Sequence, residues 1–366
     1  MKIGIDTTFY SDSPTGIGRY VYELCYHLNN YQDLELVLFL DKNSPLNNDP
    51  HFKDNQKILI NLSKLDIRRL YKLGKLVDKA NLDLFHCPAY NIPFVKNTKY
   101  IVSIHDLIHL KFKEEYGFLH RLYYENIVKK GCNKAEKIIT VSESSKNDLL
   151  EWLNCSNNKI QVTYLAANQH FIPNLGMSDL FRKMEVDQNN FILYVGNNRP
   201  NKNLERLIIA YARISEEHEN FPSLVLTCSA NNKLTELCKN LFISDKVVFA
   251  GSIDEEELIL LYSYAMFFIF PSYYEGFGLP LVEAMSSGCP ITASDISSIP
   301  EVTGDAALYF NPYDIKDIKL ALKEMYEDYS LRSLLAKRGL LRAKQFNWEK
   351  TAEKTYMIYK QCINND

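Results

Sequence analysis

Phe267-Phe268-Ile269-Phe270-Pro271-Ser272-Tyr273-Tyr274-Glu275-Gly276-Phe277-Gly278-Leu279-Pro280-Leu281-Val282-Glu283 runs from four apolar residues through a glycine-bearing loop into a helical pattern. Four apolar residues bounded by Pro and Ser fit a strand buried on both faces, and Pro280 suits a first helical turn, where its missing N–H costs nothing. A buried strand that feeds a helix through a short loop is the building block of a doubly wound parallel sheet. Similar strand patterns flank it at residues 191–195, 224–227, 247–250 and 290–293, and an earlier series falls at 2–7, 35–40, 82–86, 100–105, 137–141 and 159–164. A polar stretch at 168–176 separates the two series. The predicted organisation is therefore α/β with two domains, residues 1–170 and 171–347, each a Rossmann-like doubly wound sheet. A long helix near 331–344 precedes a last helical segment, 348–366, which is expected to cross back onto the first domain. Two such sheets facing one another would gather the carboxyl ends of their strands around a central cleft, where ligands of open α/β sheets bind.

The bulk properties agree. A chain of 366 residues is comfortable for two cores, and a 46% hydrophobic, 24% charged composition is that of a globular protein. The net charge of −3 argues against a dedicated nucleic-acid binder. Asp6 interrupts any secretory apolar core, and the apolar run at 265–270 is far shorter than the roughly 20 residues that cross a bilayer. Eight scattered cysteines without a C-x-x-C pair point to reduced core thiols and a cytoplasmic protein.

The chemistry is expected in loops that follow strands. At the start of the helix that begins at Pro280, the backbone N–H groups of Phe277, Gly278 and Leu279 would face an anion at the positive end of the helix dipole, and Gly276 and Gly278 permit close approach. Glu283 can accept from a ribose diol and Glu275 from hydroxyls of a sugar. The alternative makes Glu283 a first-turn acid that complements the dipole and Glu275 a solvated loop residue. In Val195-Gly196-Asn197-Asn198-Arg199-Pro200-Asn201-Lys202, Arg199 offers a planar donor fork and Lys202 a point charge, suited to a diphosphate leaving group as its negative charge grows. No metal or other cofactor is then required, and the chain has no Asp-x-Asp pair to carry one. A solvated basic loop is the plainer reading.

In the first domain, Gly16 and Gly18 precede a helical pattern at 21–28 and would let backbone approach a diphosphate or an acceptor. Val21 replaces the third glycine of a dinucleotide fingerprint, while Asp41 could mimic its ribose-binding acid, so a nicotinamide-dependent oxidoreductase stays open as a rival. A non-catalytic sugar-nucleotide binding module is another. His105 ends a buried strand and could bond a donor sugar or departing phosphate, with Asp106 orienting it or handling a proton; a structural histidine is the alternative. His86 also lies at a strand end, with packing as its expected role. Basic helical segments at 64–79, including Arg68, Arg69, Lys72 and Lys75, and at 111–137 read as solvated faces or as a patch for a membrane surface.

The Glu275, seven residues, Glu283 pattern with its embedded Gly-Phe-Gly-Leu-Pro resembles the signature of the family 4 retaining glycosyltransferases, over nearly the whole chain. The resemblance implies the GT-B fold and a nucleotide-sugar co-substrate whose phosphates meet Arg199 and Lys202 and whose base is held through backbone near Gly251 and Ile253. Thr15-Gly16-Ile17-Gly18-Arg19-Tyr20 together with His105-Asp106-Leu107 is similar to the branch that builds bacterial polysaccharides, often from GDP-mannose. A hexosyl transfer to a saccharide or lipid-linked saccharide is implied, with a UDP-sugar as alternative donor and peripheral contact with the inner face of the plasma membrane as a further expectation.

Overall fold

A computed structural model describes residues 1–11, 15–60, 68–174, 176 and 179–364. The chain forms two compact units, Met1–Leu165 with Asn347–Asp366, and Ala166–Phe346.

The first unit is built on a seven-stranded parallel sheet: β1 (Lys2–Asp6), β2 (Glu35–Asp41), β3 (Gln56–Ile60), β4 (Leu84–Cys87), β5 (Tyr100–Ser103), β6 (Ile138–Thr140) and β7 (Ile160–Val162), in the order β3-β2-β1-β4-β5-β6-β7. Every pairing is parallel, as in β1 with β2, where Ile5 faces Leu38. The central strands β4 and β5 are buried at every residue, which is why they read as unbroken apolar runs. Helix α1 (Gly16–Leu28) lays Val21, Leu24, Cys25 and Leu28 on one stripe at helical spacing. Helix α2 (Arg68–Lys79) crosses the backbone near Phe94 so closely that a Cβ on Gly74 would fall 2.0 Å from Phe94 O. The Trp348–Asn364 helix closes this unit: Thr351 Oγ1 donates to Tyr164 O at 2.5 Å, and Tyr356 Oη donates to Asp33 Oδ2 at 2.6 Å.

The second unit has six parallel strands: β8 (Phe191–Tyr194), β9 (Ser223–Leu226), β10 (Val247–Phe249), β11 (Phe267–Phe270), β12 (Ile291–Ser294) and β13 (Ala307–Phe310), ordered β10-β9-β8-β11-β12-β13. Its core gathers Ile192, Tyr194, Leu207, Tyr211, Leu224 and Phe267 between sheet and helices. Strands β3 and β13, absent from the sequence reading, are edge strands with half-exposed residues. An edge strand need not be apolar on both faces, so its pattern is weaker.

All eight cysteines are free and seven are buried. Among the described residues no helix is long and apolar enough to cross a membrane.

Candidate functional site

In the second unit the chain winds away from β8 in both directions, to β9 on one side and β11 on the other. Loops at the carboxyl ends of two such strands flank a topological switch point. The loop after β8 carries Arg199 and Lys202, and the loop after β11 carries Glu275. Two asparagines staple them. Asn201 Nδ2 donates to Tyr274 O at 3.2 Å while its own carbonyl accepts from Tyr273 N at 2.8 Å. Asn203, in the left-handed region at φ 59°, donates through Nδ2 to Pro271 O at 3.0 Å and Pro312 O at 2.9 Å. Between the staples, Lys202 Nζ lies 2.6 Å from Glu275 Oε1, with each side chain only 13% exposed, and 5.2 Å from the centre of the Phe270 ring. Ser297 Oγ donates to Glu275 O at 2.8 Å and accepts from Glu275 N at 3.2 Å, and Ser298 Oγ donates to the same carbonyl at 3.0 Å. The carboxylate therefore stands on a fixed backbone. Glu275 is thus no solvated loop residue. Burial, and then the Glu275 charge, hold the Tyr194 hydroxyl well above the usual phenol range.

Gly278 caps the Leu279–Ser286 helix at φ 94°, a conformation that suits glycine, and Leu281 N returns to its carbonyl at 2.9 Å. Gly276 and Phe277 are buried, and the Phe277 ring meets Phe346 edge-on at 5.5 Å. Glu283 falls beyond the first turn, is 4% exposed, and accepts from Tyr262 Oη at 3.2 Å, so it is a buried acceptor and not a first-turn acid. Arg199 is exposed, its N–H turned onto Asn197 Oδ1 at 3.1 Å. Gly251 (φ 73°) and Ile253 follow β10, two strands from β8, just before the Asp254 capping box.

In the first unit Gly16 and Gly18 lie in the first turn of α1, where the sequence reading expected a loop; Gly16 is exposed and Gly18 buried. His105 is half-buried. Its Nε2 lies 3.2 Å from Pro88 O, and because a carbonyl only accepts, Nε2 carries the proton and Nδ1 is left as an acceptor. Burial pushes its pKa down to about 4. Asp106 Oδ1 accepts from Ile108 N at 3.0 Å, closing an Asx turn. Behind His105 runs a buried polar chain that the sequence reading reduced to packing at His86. Tyr20, edge-on to the His105 ring at 4.7 Å, has its Oη 2.9 Å from Ser103 Oγ. Ser103 Oγ is 2.7 Å from His86 Nε2, and His86 Nδ1 is 2.7 Å from Tyr359 Oη. Burial lowers the His86 pKa to about 3 and keeps the ring neutral. A histidine and a serine inside apolar strands were the visible signal, because buried polar groups need partners.

Arg69, grouped by sequence with a solvated basic face, is 1% exposed: Nη2 meets Asp6 Oδ1 at 3.5 Å and Thr8 Oγ1 at 2.5 Å, and Nη1 meets Asp41 Oδ1 at 3.4 Å. Asp41 is therefore engaged by a cation, which removes the feature that favoured a dinucleotide ribose. Lys72, Lys75 and Lys79 are exposed as expected, while Lys64 lies outside the described residues.

A two-unit α/β chain with paired acid and base at the switch point of its second sheet belongs to a known class. Residues 14–168 match the family described as Glycosyltransferase Family 4, and residues 178–342 match Glycosyl transferases group 1. The chain is 29% identical to O-antigen chain mannosyltransferase B of Escherichia coli, over 98% of this chain and 100% of that one. It is 30% identical to O-antigen chain mannosyltransferase RfbU of Salmonella typhimurium, over 69% of this chain and 67% of that protein. Among solved structures, sucrose-phosphate synthase from Thermosynechococcus elongatus superposes with a TM-score of 0.80 at 23% identity, with both chains fully covered. The chain belongs to the family 4 glycosyltransferases, with the GT-B fold.

Proposed function

We propose that this glycosyltransferase moves mannose from GDP-mannose to a saccharide or lipid-linked saccharide in surface polysaccharide synthesis, with retention at the anomeric carbon and without a metal. The observation that carries this reading is the Lys202–Glu275 pair, held at the ends of β8 and β11 by the asparagine staples. Lys202, with Arg199 at the rim, takes the diphosphate, and the start of the Leu279–Ser286 helix adds N–H groups through Phe277, Gly278 and Leu279. Glu275 accepts from hydroxyls of the transferred sugar and Glu283 from the ribose. Gly251 and Ile253 offer backbone to the base, and α1, begun by Gly16 and Gly18, offers its own N–H groups. His105, neutral with Nδ1 as acceptor, takes a sugar hydroxyl; Asp106 orients the turn beside it.

In the reaction the acceptor oxygen forms a bond to the anomeric carbon on the face that the diphosphate leaves. The bond from that carbon to the β-phosphate oxygen breaks, and the departing oxygen receives the acceptor's proton. Lys202 and Arg199 stabilise the charge that grows there, which is transition-state stabilisation by fixed cations. The mannosyltransferase names of both relatives support the donor. The free, mostly buried cysteines support a cytoplasmic home. The exposed Lys72, Lys75 and Lys79 of α2, with Phe118 and Leu119 on the Lys113–Tyr123 helix, support peripheral contact with an anionic membrane.

The test is a thermal-shift and transfer panel with GDP-mannose, UDP-glucose and NADH, each with and without EDTA, and NMR of the product's anomeric proton. GDP-mannose should stabilise the protein and be consumed with EDTA present, giving an α-linked product. Stabilisation by UDP-glucose alone, loss of transfer in EDTA, or a β-linked product would each overturn the corresponding part of the proposal.

A further inference from the structure

The carboxyl edge of the second sheet also carries an aromatic stack that the donor contacts do not use. Tyr273, in the loop after β11, faces Tyr313, in the loop after β13, with ring centres 4.8 Å apart and planes 18° from parallel. Arg206, in the first turn of the Leu204–Ser215 helix, anchors Tyr273: its guanidinium carbon lies 5.5 Å from the ring centre and Nη1 donates to the hydroxyl. Tyr313 is 62% exposed, so with one face on Tyr273 it turns the opposite face to solvent. The ring is not needed to hold its own loop. Pro312 O already accepts from Asn203 Nδ2 at 2.9 Å, Tyr313 N donates to Asn311 Oδ1 at 3.0 Å, and Asn311 N donates to Asp317 Oδ2 at 2.6 Å. Tyr273 N in turn donates to Asn201 O at 2.8 Å. Both rings therefore stand on fixed backbone, and an aromatic ring placed before binding loses little freedom when a ligand covers it.

A flat tyrosine face with a hydroxyl at its rim suits the apolar side of a pyranose, whose C–H groups pack on the ring while its own hydroxyls find polar partners at the edge. The charges agree with a neutral ligand. The guanidinium of the stack is committed to Tyr273, and Asp314, next to Tyr313, is an exposed carboxylate that accepts from hydroxyls and repels phosphate. We propose that Arg206, Tyr273 and Tyr313 form a saccharide platform, which holds a pyranose ring of the acceptor glycan remote from the sugar being transferred. The inference rests on the reading that the acceptor is a saccharide and that Glu275 meets the transferred sugar. Tyr273 is two residues before Glu275, which keeps their Cα atoms within about 7 Å, so a glycan several sugars long spans both places. A second contact on one chain adds to the first through effective concentration. The platform thus favours long acceptors over short ones and makes the enzyme an extender of chains more than a starter of them.

The test compares methyl α-mannoside with α-linked mannotetraose as acceptors for transfer from GDP-mannose by the whole chain. In the wild type kcat/KM should be about tenfold higher for the tetrasaccharide. In Tyr313→Ala that ratio should collapse to about one, and Tyr313→Trp should restore it. Because Tyr313 is exposed, Tyr313→Ala should keep the fold, which its melting temperature checks. Equal kcat/KM for the two acceptors in the wild type, or a ratio that Tyr313→Ala leaves intact, overturns the platform. Saturation-transfer NMR with mannotetraose and with GMP reads binding without turnover. A saccharide signal that falls about twofold or more in Tyr313→Ala supports the proposal. No saccharide signal, or a Tyr313-dependent signal from GMP in its place, overturns it. If the wild type is neither stabilised by GDP-mannose nor active with it, the donor reading fails, and the NMR comparison still decides the platform by itself.

Discussion

Asn203 ties the loops after β8 and β11 together through one amide, and its removal is the sharpest test of how Lys202 is held. In Asn203→Ala, Pro271 O and Pro312 O, both buried, lose their donor. A buried acceptor left unpaired costs about 1–3 kcal/mol, so the pair costs about 2–6 kcal/mol. Alanine must also hold the φ of 59° that asparagine tolerates, which adds about 1 kcal/mol. The expected destabilisation, about 3–7 kcal/mol, corresponds to a fall in Tm on the order of 10 °C for a unit of this size. Asn203→Gly separates the two contributions: it loses the staple but accepts the left-handed conformation, so it should melt above Asn203→Ala by the equivalent of about 1 kcal/mol. Scanning calorimetry of both variants measures this, and titration with GDP-mannose should show weaker binding in each, because Lys202 is the preceding residue. If both variants melt within about 2 °C of the wild type, where even 1 kcal/mol would show, the staple is not holding the loops.

Acid sensitivity should follow from the two neutral histidines of the first unit. His86 and His105 have folded pKa values of about 3 and about 4, below the ordinary 6.5, so the unfolded chain binds more protons and stability is lost as pH falls from 6.5 toward 4. The limiting slope is about 1.4 kcal/mol per pH unit for each histidine. Urea midpoints at pH 7, 6 and 5 should show it, and His86→Gln should halve it; a flat profile refutes the buried neutral state. Arg69→Met should destabilise by about 3–5 kcal/mol, because Asp6 and Asp41 lose their common cation, and adding Asp6→Asn should recover part of that loss. A double variant no more stable than the single one would deny the pairing. Gly74→Ala must displace the Phe94 backbone and should cost about 1–3 kcal/mol in urea unfolding, whereas the exposed Gly117→Ala partner position meets no atom within 4 Å, so strain at its φ of 69° is the only cost expected there.

The fold was legible wherever a strand lies between two helical layers. Phe267–Phe270 is buried at every residue and could be read as a core strand from its composition alone. The edges were not legible: Gln56–Ile60 begins with two polar residues, and Ala307–Phe310 is half-exposed at its centre. Sequence singled out Lys202 and Glu275 separately but could not pair them, because they are 73 residues apart and meet only through the parallel pairing of β8 with β11. Arg69 was misread although the signal was present. Leu73 and Val77 follow it at four-residue intervals, which puts Arg69 on the buried stripe of α2, and a cation on such a stripe demands acids nearby. Tyr20, Ser103 and Tyr359 were invisible as a group, since they reach His86 from three separate elements: α1, β5 and the Trp348–Asn364 helix.

The placement of the Trp348–Asn364 helix has a consequence for biosynthesis. Tyr359 caps the polar chain at His86, and Thr351 and Tyr356 fasten to Tyr164 and Asp33, so the unit begun by residues 1–165 waits for the 348–364 helix. As the ribosome delivers residues in order, the domain begun first is sealed last. Until then the His86 ring lacks its Tyr359 partner, while residues 166–346 already hold a sheet and a core of their own.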